Sequence, residues 1–179
     1  FQTHMGVIAA SQQLSPQIVL AASEMLDCLR RSGKILACGN GGSAADAQHF
    51  ACELVGRFLT NSQPYAAIAL TTDPSIMTAI GNDYGFEETF ARQVKALGQP
   101  GDVLIAISTS GNSKNVVRAV EEARLKSIKV VALTGGNGGE LRAISDICIV
   151  VPSDSTPRIQ EVHELIVHIF CEILEAELA

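Results

Sequence analysis

The sequence predicts an α/β domain in which a doubly wound, five-stranded parallel sheet is flanked by helices, giving three layers. Two observations lead to this prediction. Five short apolar runs alternate along the chain with longer segments of helical pattern. The runs are apolar at consecutive rather than alternate positions, as expected of strands that are buried on both faces. The predicted strands are 34–38, 66–70, 102–107, 129–133 and 146–151.

Six helices are predicted around these strands. Two of them begin with proline at the first helical position, where its missing amide proton costs nothing. These two are the helix that includes Pro16 and the final helix, which starts near Pro157. The predicted helices are 15–31, 43–57, 74–81, 86–97, 113–126 and 157–178.

A single domain spanning residues 5–179 is expected from the length of 179 residues. Residues 1–4 precede Met5 and are interpreted as the remnant of an expression tag, so the prediction sets them aside. Hydrophobic residues make up 47% of the chain and charged residues 18%, which indicates a globular protein.

The charge balance disfavours a nucleic-acid-binding protein. The formal net charge is −6, whereas binding to nucleic acid depends on lysine and arginine. A small anionic ligand remains compatible with this charge, because backbone amides bind phosphate without any net positive charge.

The five cysteines are odd in number and scattered, and most lie inside apolar runs, which favours buried free thiols in a reducing cytoplasm. No apolar run approaches the roughly 20 residues of a membrane helix, and no signal peptide is recognised. The cysteines are Cys28, Cys38, Cys52, Cys148 and Cys171.

The segment 108–113, Ser-Thr-Ser-Gly-Asn-Ser, is the strongest functional signal. It lies between a predicted buried strand and a predicted helix, and it offers four hydroxyl groups. Gly111 lets the backbone approach a ligand, and the free amides and dipole of the following helix favour a phosphate dianion. A helix cap would need only one such residue. No lysine follows in the order typical of a P-loop, so a phosphate monoester fits better than a nucleoside triphosphate.

The segment 39–43, Gly-Asn-Gly-Gly-Ser, follows the first strand and is a candidate second wall of the same site. Alone it is equally compatible with a tight connection from strand to helix. It does not match the G-x-G-x-x-G pattern, and no acidic residue ends the second strand. Binding of a nicotinamide cofactor is therefore disfavoured.

Histidines on two predicted helices are the candidates for chemistry. His49 and Glu53 lie four residues apart and share one helix face, which fits acid/base work, a metal site or a structural hydrogen bond. His163 and His168 lie on the apolar last helix, about 140° apart around its axis, so they do not easily face one site. From the pattern alone, a core role for either residue stays open.

Seven segments, taken in chain order, resemble a known family. They are C-G-N-G-G-S at 38–43, A-D-A-Q-H-F at 45–50, E-L-V-G-R at 53–57, A-I-G-N-D-Y-G-F at 79–86, I-S-T-S-G-N-S at 107–113, L-T-G at 133–135, and R-I-Q-E-V-H at 158–163 followed by His168. Together they resemble the phosphoheptose isomerases, a branch of the sugar isomerase (SIS) domain proteins. The resemblance spans roughly residues 15–178 and implies the SIS fold, a flavodoxin-like sheet with an N-terminal helical arm.

The resemblance implies roles for particular residues. Glu53 and His168 correspond to the catalytic acid/base pair of the family. A zinc ion would be held by His49, Glu53, Gln160 and His168. The implied substrate-binding residues are Asn40, Gly41, Gly42, Ser43, Arg57, Asp83, Ser108, Thr109, Ser110, Ser113 and Gln160. Gln160 and His168 stand about 12 Å apart along a straight helix, so their side chains must converge to share one ion.

The resemblance also implies a reaction and an assembly. The reaction is the conversion of sedoheptulose 7-phosphate to D-glycero-D-manno-heptose 7-phosphate through an enediol, which needs a base near carbon and an acid near oxygen. The implied assembly is a cytoplasmic homotetramer whose sites combine residues from adjacent subunits. The implied pathway leads to ADP-heptose for lipopolysaccharide or S-layer glycans.

Three rival functions were weighed. A non-catalytic SIS-domain adaptor that binds a replication initiator protein would keep the phosphate loop but lack the catalytic pair, and Glu53 and His168 are both present here. A sugar-phosphate-sensing regulatory domain is disfavoured because there is no helix-turn-helix segment or basic stripe. An isomerase for pentose phosphates remains open, because specificity depends on side chains whose positions the sequence does not reveal.

Overall fold

A computed structural model describes residues 1–178, and Ala179, the last residue of the predicted domain, lies outside the described residues. The five strands form one parallel sheet in the order β2-β1-β3-β4-β5. This is the doubly wound, flavodoxin-like order, so the predicted fold class is confirmed. The strands are β1 Ile35–Gly39, β2 Ala67–Ala69, β3 Val103–Ile107, β4 Lys129–Gly135 and β5 Ile147–Val151.

Helices cover both faces of the sheet. Short 3₁₀ turns at Gln12–Leu14 and Phe86–Glu88 precede the helices that begin at Ser15 and Ala91. The predicted helix 86–97 is therefore interrupted, since its α-helical part begins only at Ala91. The helices are α1 Gln2–Ser11, α2 Ser15–Arg30, α3 Gly42–Val55, α4 Pro74–Asp83, α5 Ala91–Leu97, α6 Lys114–Leu125, α7 Leu141–Ile144 and α8 Thr156–Leu178.

Helix α1 is not among the six predicted helices, although the resemblance implies an N-terminal helical arm, and it includes residues 2–4, which the prediction excludes. Residues 2–4 form its first turn, and His4 Nδ1 lies 2.6 Å from a carboxylate oxygen of Glu161 on α8. These residues therefore take part in the fold. Their origin as a tag remnant stays a prediction.

Two hydrophobic cores, one on each face of the sheet, explain why the strand runs are continuously apolar. Ile35 and Ile105 point into the core beneath α2, α3 and α8, whereas their neighbours Leu36 and Leu104 point into the core beneath α5 and α6. Because successive side chains of a strand face opposite sides, both sets must be apolar to be buried. Full burial of each such side chain contributes about 1.5–3 kcal/mol.

Helix α8 packs on α3 and carries most of its apolar residues on the buried side. The rings of Phe50 on α3 and Phe170 on α8 lie 6.2 Å apart between centroids, and both residues are fully buried. This contact brings the two helices together for most of their length. Among residues 1–178, no helix combines the length and the apolar character that crossing a membrane requires.

Candidate active site

The turns after β1, β3 and β4 meet at the carboxyl edge of the sheet. The strand register pairs Gly39 with Ile107, and Ile107 with Leu133. The glycine-rich turn after β1 and the serine-rich loop after β3 are therefore neighbours, as the two-wall prediction requires. This edge is also where the strand order reverses between β1 and β3, the usual ligand position in such sheets.

The serine-rich loop, residues 108–113, is held by its own hydrogen bonds. The hydroxyl oxygens of Ser108 and Ser113 lie 2.9 Å apart, and the backbone N–H of Asn112 donates to Ser110 Oγ at 3.2 Å. Gly111 has a φ of 67°, and a Cβ at this position would lie 2.0 Å from the Gly138 carbonyl oxygen. Only glycine fits this conformation and this close approach, so the loop backbone is anchored against the turn before α7.

Two cavities flank the serine-rich loop. The first has a volume of about 460 Å³ and is lined by Asn40, Gly85, Phe86, Glu87, Ser113, Lys114 and Asn115. The second has a volume of about 330 Å³ and is lined by Thr109, Ser110, Gly135, Gly136, Asn137, Asp154, Thr156 and Ile159. The predicted phosphate-binding hydroxyls thus face both sides of the loop: Ser113 lines the first cavity, and Thr109 and Ser110 line the second.

The turn after β1 is joined to the first turn of α6 by a pair of side-chain amides. Asn40 and Asn115 exchange two hydrogen bonds, of 2.7 and 2.9 Å. Ser43, in the first turn of α3, is 3% exposed, whereas Gly41 and Gly42 are exposed. A Cβ on Gly42 would lie 2.4 Å from Gln160 Nε2, so glycine is what lets Gln160 lie against the start of α3.

A cluster of polar side chains lies where α3 meets α8. We call it the α3–α8 polar cluster, and it comprises Asp46, His49, Glu53, Glu164 and His168. On α3 the members are spaced by three and four residues, and on α8 by four, so each set shares one helix face. The side chains are half-buried between the two helices.

His49 is the centre of this cluster. Its Nε2 lies 2.9 Å from Glu53 Oε1, and its Nδ1 contacts Glu164. His168 Nε2 lies 3.5 Å from the same Glu164 oxygen, and the two imidazole centroids are 5.1 Å apart in an edge-to-face arrangement. The predicted catalytic residues Glu53 and His168 therefore both contact His49.

Three members of the cluster form a candidate metal site. Donor atoms of His49, Glu164 and His168 all lie within 4.8 Å of one another, and imidazole nitrogens with a carboxylate oxygen suit zinc. The predicted set shares both histidines with this group but supplies its carboxylate from Glu53 rather than Glu164. The fourth predicted ligand, Gln160, lies two helical turns before His168 and against Gly42.

Glu164 and Asp46 were missed by the sequence analysis. The signal for Glu164 was present, since it stands four residues before His168, the spacing that linked His49 to Glu53. Asp46 Oδ2 is buried and has no hydrogen-bond partner among residues 1–178. Burial, together with the nearby charge of Glu164, raises the pKa of Asp46 to about 7.

His163 lies away from the cluster, on the core side of α8. It is 0% exposed, and its Nε2 lies 3.0 Å from the Thr134 carbonyl oxygen. Burial lowers the pKa of His163 to about 4, so the ring is neutral and donates this hydrogen bond from Nε2. His163 therefore links α8 to the end of β4.

Two predicted substrate-binding residues stand apart from these contacts. Arg57 follows the end of α3 and is exposed. Asp83 is the last residue of α4; it is exposed and accepts a hydrogen bond of 2.8 Å from the Asn82 side chain. Within the described chain, neither residue is hydrogen-bonded to the serine-rich loop or to the α3–α8 polar cluster.

Comparisons with known proteins show the family to which the chain belongs. The family model for the SIS domain matches residues 5–135. A phosphoheptose isomerase of Bordetella avium (strain 197N) is 56% identical over 99% of this chain and 92% of its own length. A phosphoheptose isomerase structure from Neisseria gonorrhoeae is 49% identical with a TM-score of 0.94, covering 98% of this chain and 95% of that one. One from Francisella tularensis is 46% identical with a TM-score of 0.96, covering 98% and 94%.

The class that fold and site define is thus the SIS-domain proteins. Within that class, the chain belongs to the phosphoheptose isomerase family, and it is an isomerase. The predicted family and enzyme class are confirmed.

Proposed function

We propose that this protein interconverts sedoheptulose 7-phosphate and D-glycero-D-manno-heptose 7-phosphate through an enediol. The observation that carries the proposal is the α3–α8 polar cluster, in which Glu53 and His168 both contact His49. His49 and Glu53 lie on α3, which begins at the carboxyl edge of the sheet beside the serine-rich loop. Aldose–ketose isomerisation needs two groups that exchange protons near neutral pH, and a carboxylate with an imidazole suits that task.

The serine-rich loop would hold the phosphate group. Ser108, Thr109, Ser110 and Ser113 offer hydroxyl donors, and α6 begins directly after them at Lys114. The free amides of that helix and its dipole favour a dianion. Asn40 and Ser43, at the neighbouring turn, would contact the sugar.

Glu53 and His168 would move the protons. One of them removes a proton from C1 while the oxygen on C2 gains one, which gives the enediol. A proton is then returned to C2 while the oxygen on C1 loses one, which leaves an aldehyde at C1. The two residues divide the roles of base and acid, and the proton count balances without a redox partner.

The donor set of the cluster fits a zinc ion held by His49 and His168 with a carboxylate from Glu53 or Glu164. When bound, the ion supplies a Lewis acid that polarises the substrate carbonyl. The two ring nitrogens of His49 contact the carboxylates of Glu53 and Glu164, and these contacts would order Glu53 beside His168.

A cytoplasmic homotetramer with shared sites is part of the same proposal. Helix α4 buries none of its residues within the described chain, although it carries Ile76 with 39% exposure. Arg57 and Asp83 are exposed, which is compatible with their completing a neighbouring subunit's site. The five cysteines are all free, which suits a reducing compartment. The proposed pathway leads to ADP-heptose for lipopolysaccharide or another glycan.

The deciding experiment is to incubate the purified protein with sedoheptulose 7-phosphate, with and without added zinc, and to follow the products by phosphorus NMR. We expect a new heptose phosphate signal that grows with enzyme concentration. A folded protein that binds the sugar phosphate yet forms no product under either condition would support the adaptor function instead.

A further inference from the structure

A partly buried pair of side-chain amides joins the turn after β1 to the first turn of α6. Asn40 Nδ2 donates to Asn115 Oδ1 at 2.7 Å, and Asn115 Nδ2 donates back to Asn40 Oδ1 at 2.9 Å. Asn115 is 2% exposed, whereas Asn40 is half-buried and lines the cavity of about 460 Å³. Asn115 lines the same cavity but leaves almost no exposed surface, and its side-chain amide is hydrogen-bonded to Asn40.

This pair alone does not decide which way the two amides point. If both groups rotated by 180°, oxygen and nitrogen would exchange places and the two hydrogen bonds would still form. A third group must break the symmetry before Asn40 can present a defined donor to the cavity.

Thr89 is that third group. It is 0% exposed, and its hydroxyl donates to the Phe86 carbonyl oxygen at 2.8 Å. A hydroxyl has one proton, so Thr89 Oγ1 presents only lone pairs to Asn115, whose Nδ2 lies 3.4 Å away. In the rotated arrangement Asn115 Oδ1 would face Thr89 Oγ1. Either two oxygens would then meet without a proton between them, or the Thr89 hydroxyl would give up its bond to Phe86, and each outcome is costly in a buried place.

We propose that Thr89 and Asn115 are positioning residues that fix the orientation of the Asn40 amide. The pair uses one N–H of Asn40, and the other N–H has no partner among residues 1–178. Resting on the proposed function, this free N–H donates to an oxygen of the sugar and not of the phosphate. The cavity is lined by one acidic and one basic side chain, Glu87 and Lys114, so it offers no net positive charge for a second anion beside Asn40.

The key comparison is Thr89→Val against Thr89→Ser. Valine has nearly the shape of threonine but no hydroxyl, whereas serine keeps the hydroxyl and loses a methyl group. We expect Thr89→Val to raise KM for sedoheptulose 7-phosphate about three- to tenfold, the range for one neutral hydrogen bond, and Thr89→Ser to stay near wild type. The affinity for inorganic phosphate, measured by calorimetry, should be unchanged in both.

A double-mutant cycle tests whether Asn115 acts through Asn40. Asn115→Leu should raise KM in the wild-type background but have no further effect once Asn40→Ala is present. Equal effects in both backgrounds would overturn the proposal, because a purely structural role for Asn115 is independent of Asn40. Weaker binding of inorganic phosphate in Thr89→Val would overturn the assignment of the donor to the sugar.

A readout without substrate separates this inference from the proposed function. The side-chain NH₂ signals of Asn40 in ¹⁵N NMR spectra, assigned by their loss in Asn40→Ala, should shift in Thr89→Val and not in Thr89→Ser. If they shift as expected while no heptose phosphate is formed, the proposed function fails and the positioning role stands. If they do not shift, the positioning role fails whatever the substrate.

Discussion

The serine-rich loop and the α3–α8 polar cluster serve one proposed site, but they are stabilised in different ways. The loop is held by backbone geometry: Gly111 lies against Gly138, and the Leu141 amide donates to the Gly111 carbonyl oxygen at 3.1 Å. The cluster is held by side chains from two helices, and its carboxylates crowd around two imidazoles. The contrast shows that the loop proposed to bind phosphate is preorganised by backbone contacts between two turns at one edge of the sheet, whereas the group proposed for chemistry exists only when helices α3 and α8 pack.

The largest expected effect is on the cluster side of this comparison. Glu53→Gln should lower kcat about 10²- to 10⁴-fold, because the amide cannot exchange a proton, while KM changes little. Steady-state kinetics on sedoheptulose 7-phosphate provide the measurement. Glu172→Gln, the same change on the exposed side of α8, is the matched control. Turnover of Glu53→Gln within a few-fold of wild type would remove Glu53 from the catalytic pair.

The next effect concerns His163, which connects α8 to β4 and belongs neither to the serine-rich loop nor to the α3–α8 polar cluster. Its pKa is lowered to about 4 from 6.5, so the unfolded chain takes up a proton on acidification before the folded chain does. The stability that His163 contributes is therefore present above about pH 6.5 and is lost as pH drops toward 4, by up to about 3 kcal/mol, while Asp46, whose pKa is raised to about 7, acts in the opposite direction over the same range. Urea unfolding of metal-free protein between pH 8 and pH 4 measures this loss.

His163→Gln is the matched variant for that series, since it can keep a donor to the Thr134 carbonyl but does not titrate. Because Asp46 titrates in both proteins, the free energy of unfolding of the wild type relative to that of His163→Gln should fall between pH 7 and pH 4.5. Parallel curves for the two proteins would show that another group causes the acid sensitivity.

The third expected effect concerns which residue of α8 holds the proposed zinc ion. Glu164→Ala should weaken zinc binding about 10- to 100-fold, because its carboxylate contacts both imidazoles. Competition against a chromophoric chelator measures this without any turnover. Gln160→Ala is the companion variant, expected to change the affinity less. The opposite ranking would favour the predicted ligand set that includes Gln160.

The smallest expected effect is on the loop side. Ser110→Ala should weaken binding of the sugar phosphate about tenfold, since it removes one hydroxyl donor to a charged group while the backbone stays in place. Calorimetric titration with sedoheptulose 7-phosphate is the measurement, and Ser23→Ala on the exposed face of α2 is the control. An unchanged affinity would place the phosphate outside the second cavity.

The prediction of the strands succeeded for a reason that is local in the sequence. A strand buried on both faces must be apolar at every position, and such runs are visible in any short window. Helix ends were less well predicted. The segment 86–97 was predicted as one helix, yet Gly85 adopts a φ of 93° and a 3₁₀ turn at Phe86–Glu88 precedes α5. That interruption places Thr89 in the core beside Asn115, a contact that no local pattern indicates.

What the sequence by itself determined is the parallel sheet, the position of the turns at its carboxyl edge, the serine-rich loop between β3 and α6, and the shared face of His49 and Glu53. Each of these depends on residues close together in the chain, where strand alternation and helix periodicity set the geometry. The tertiary structure alone decided that Glu164 and Asp46 join the cluster, that Gln160 lies against Gly42, and that Asn115 pairs with Asn40. Those contacts depend on how α3, α6 and α8 pack, and packing is set by the shapes of many buried side chains at once.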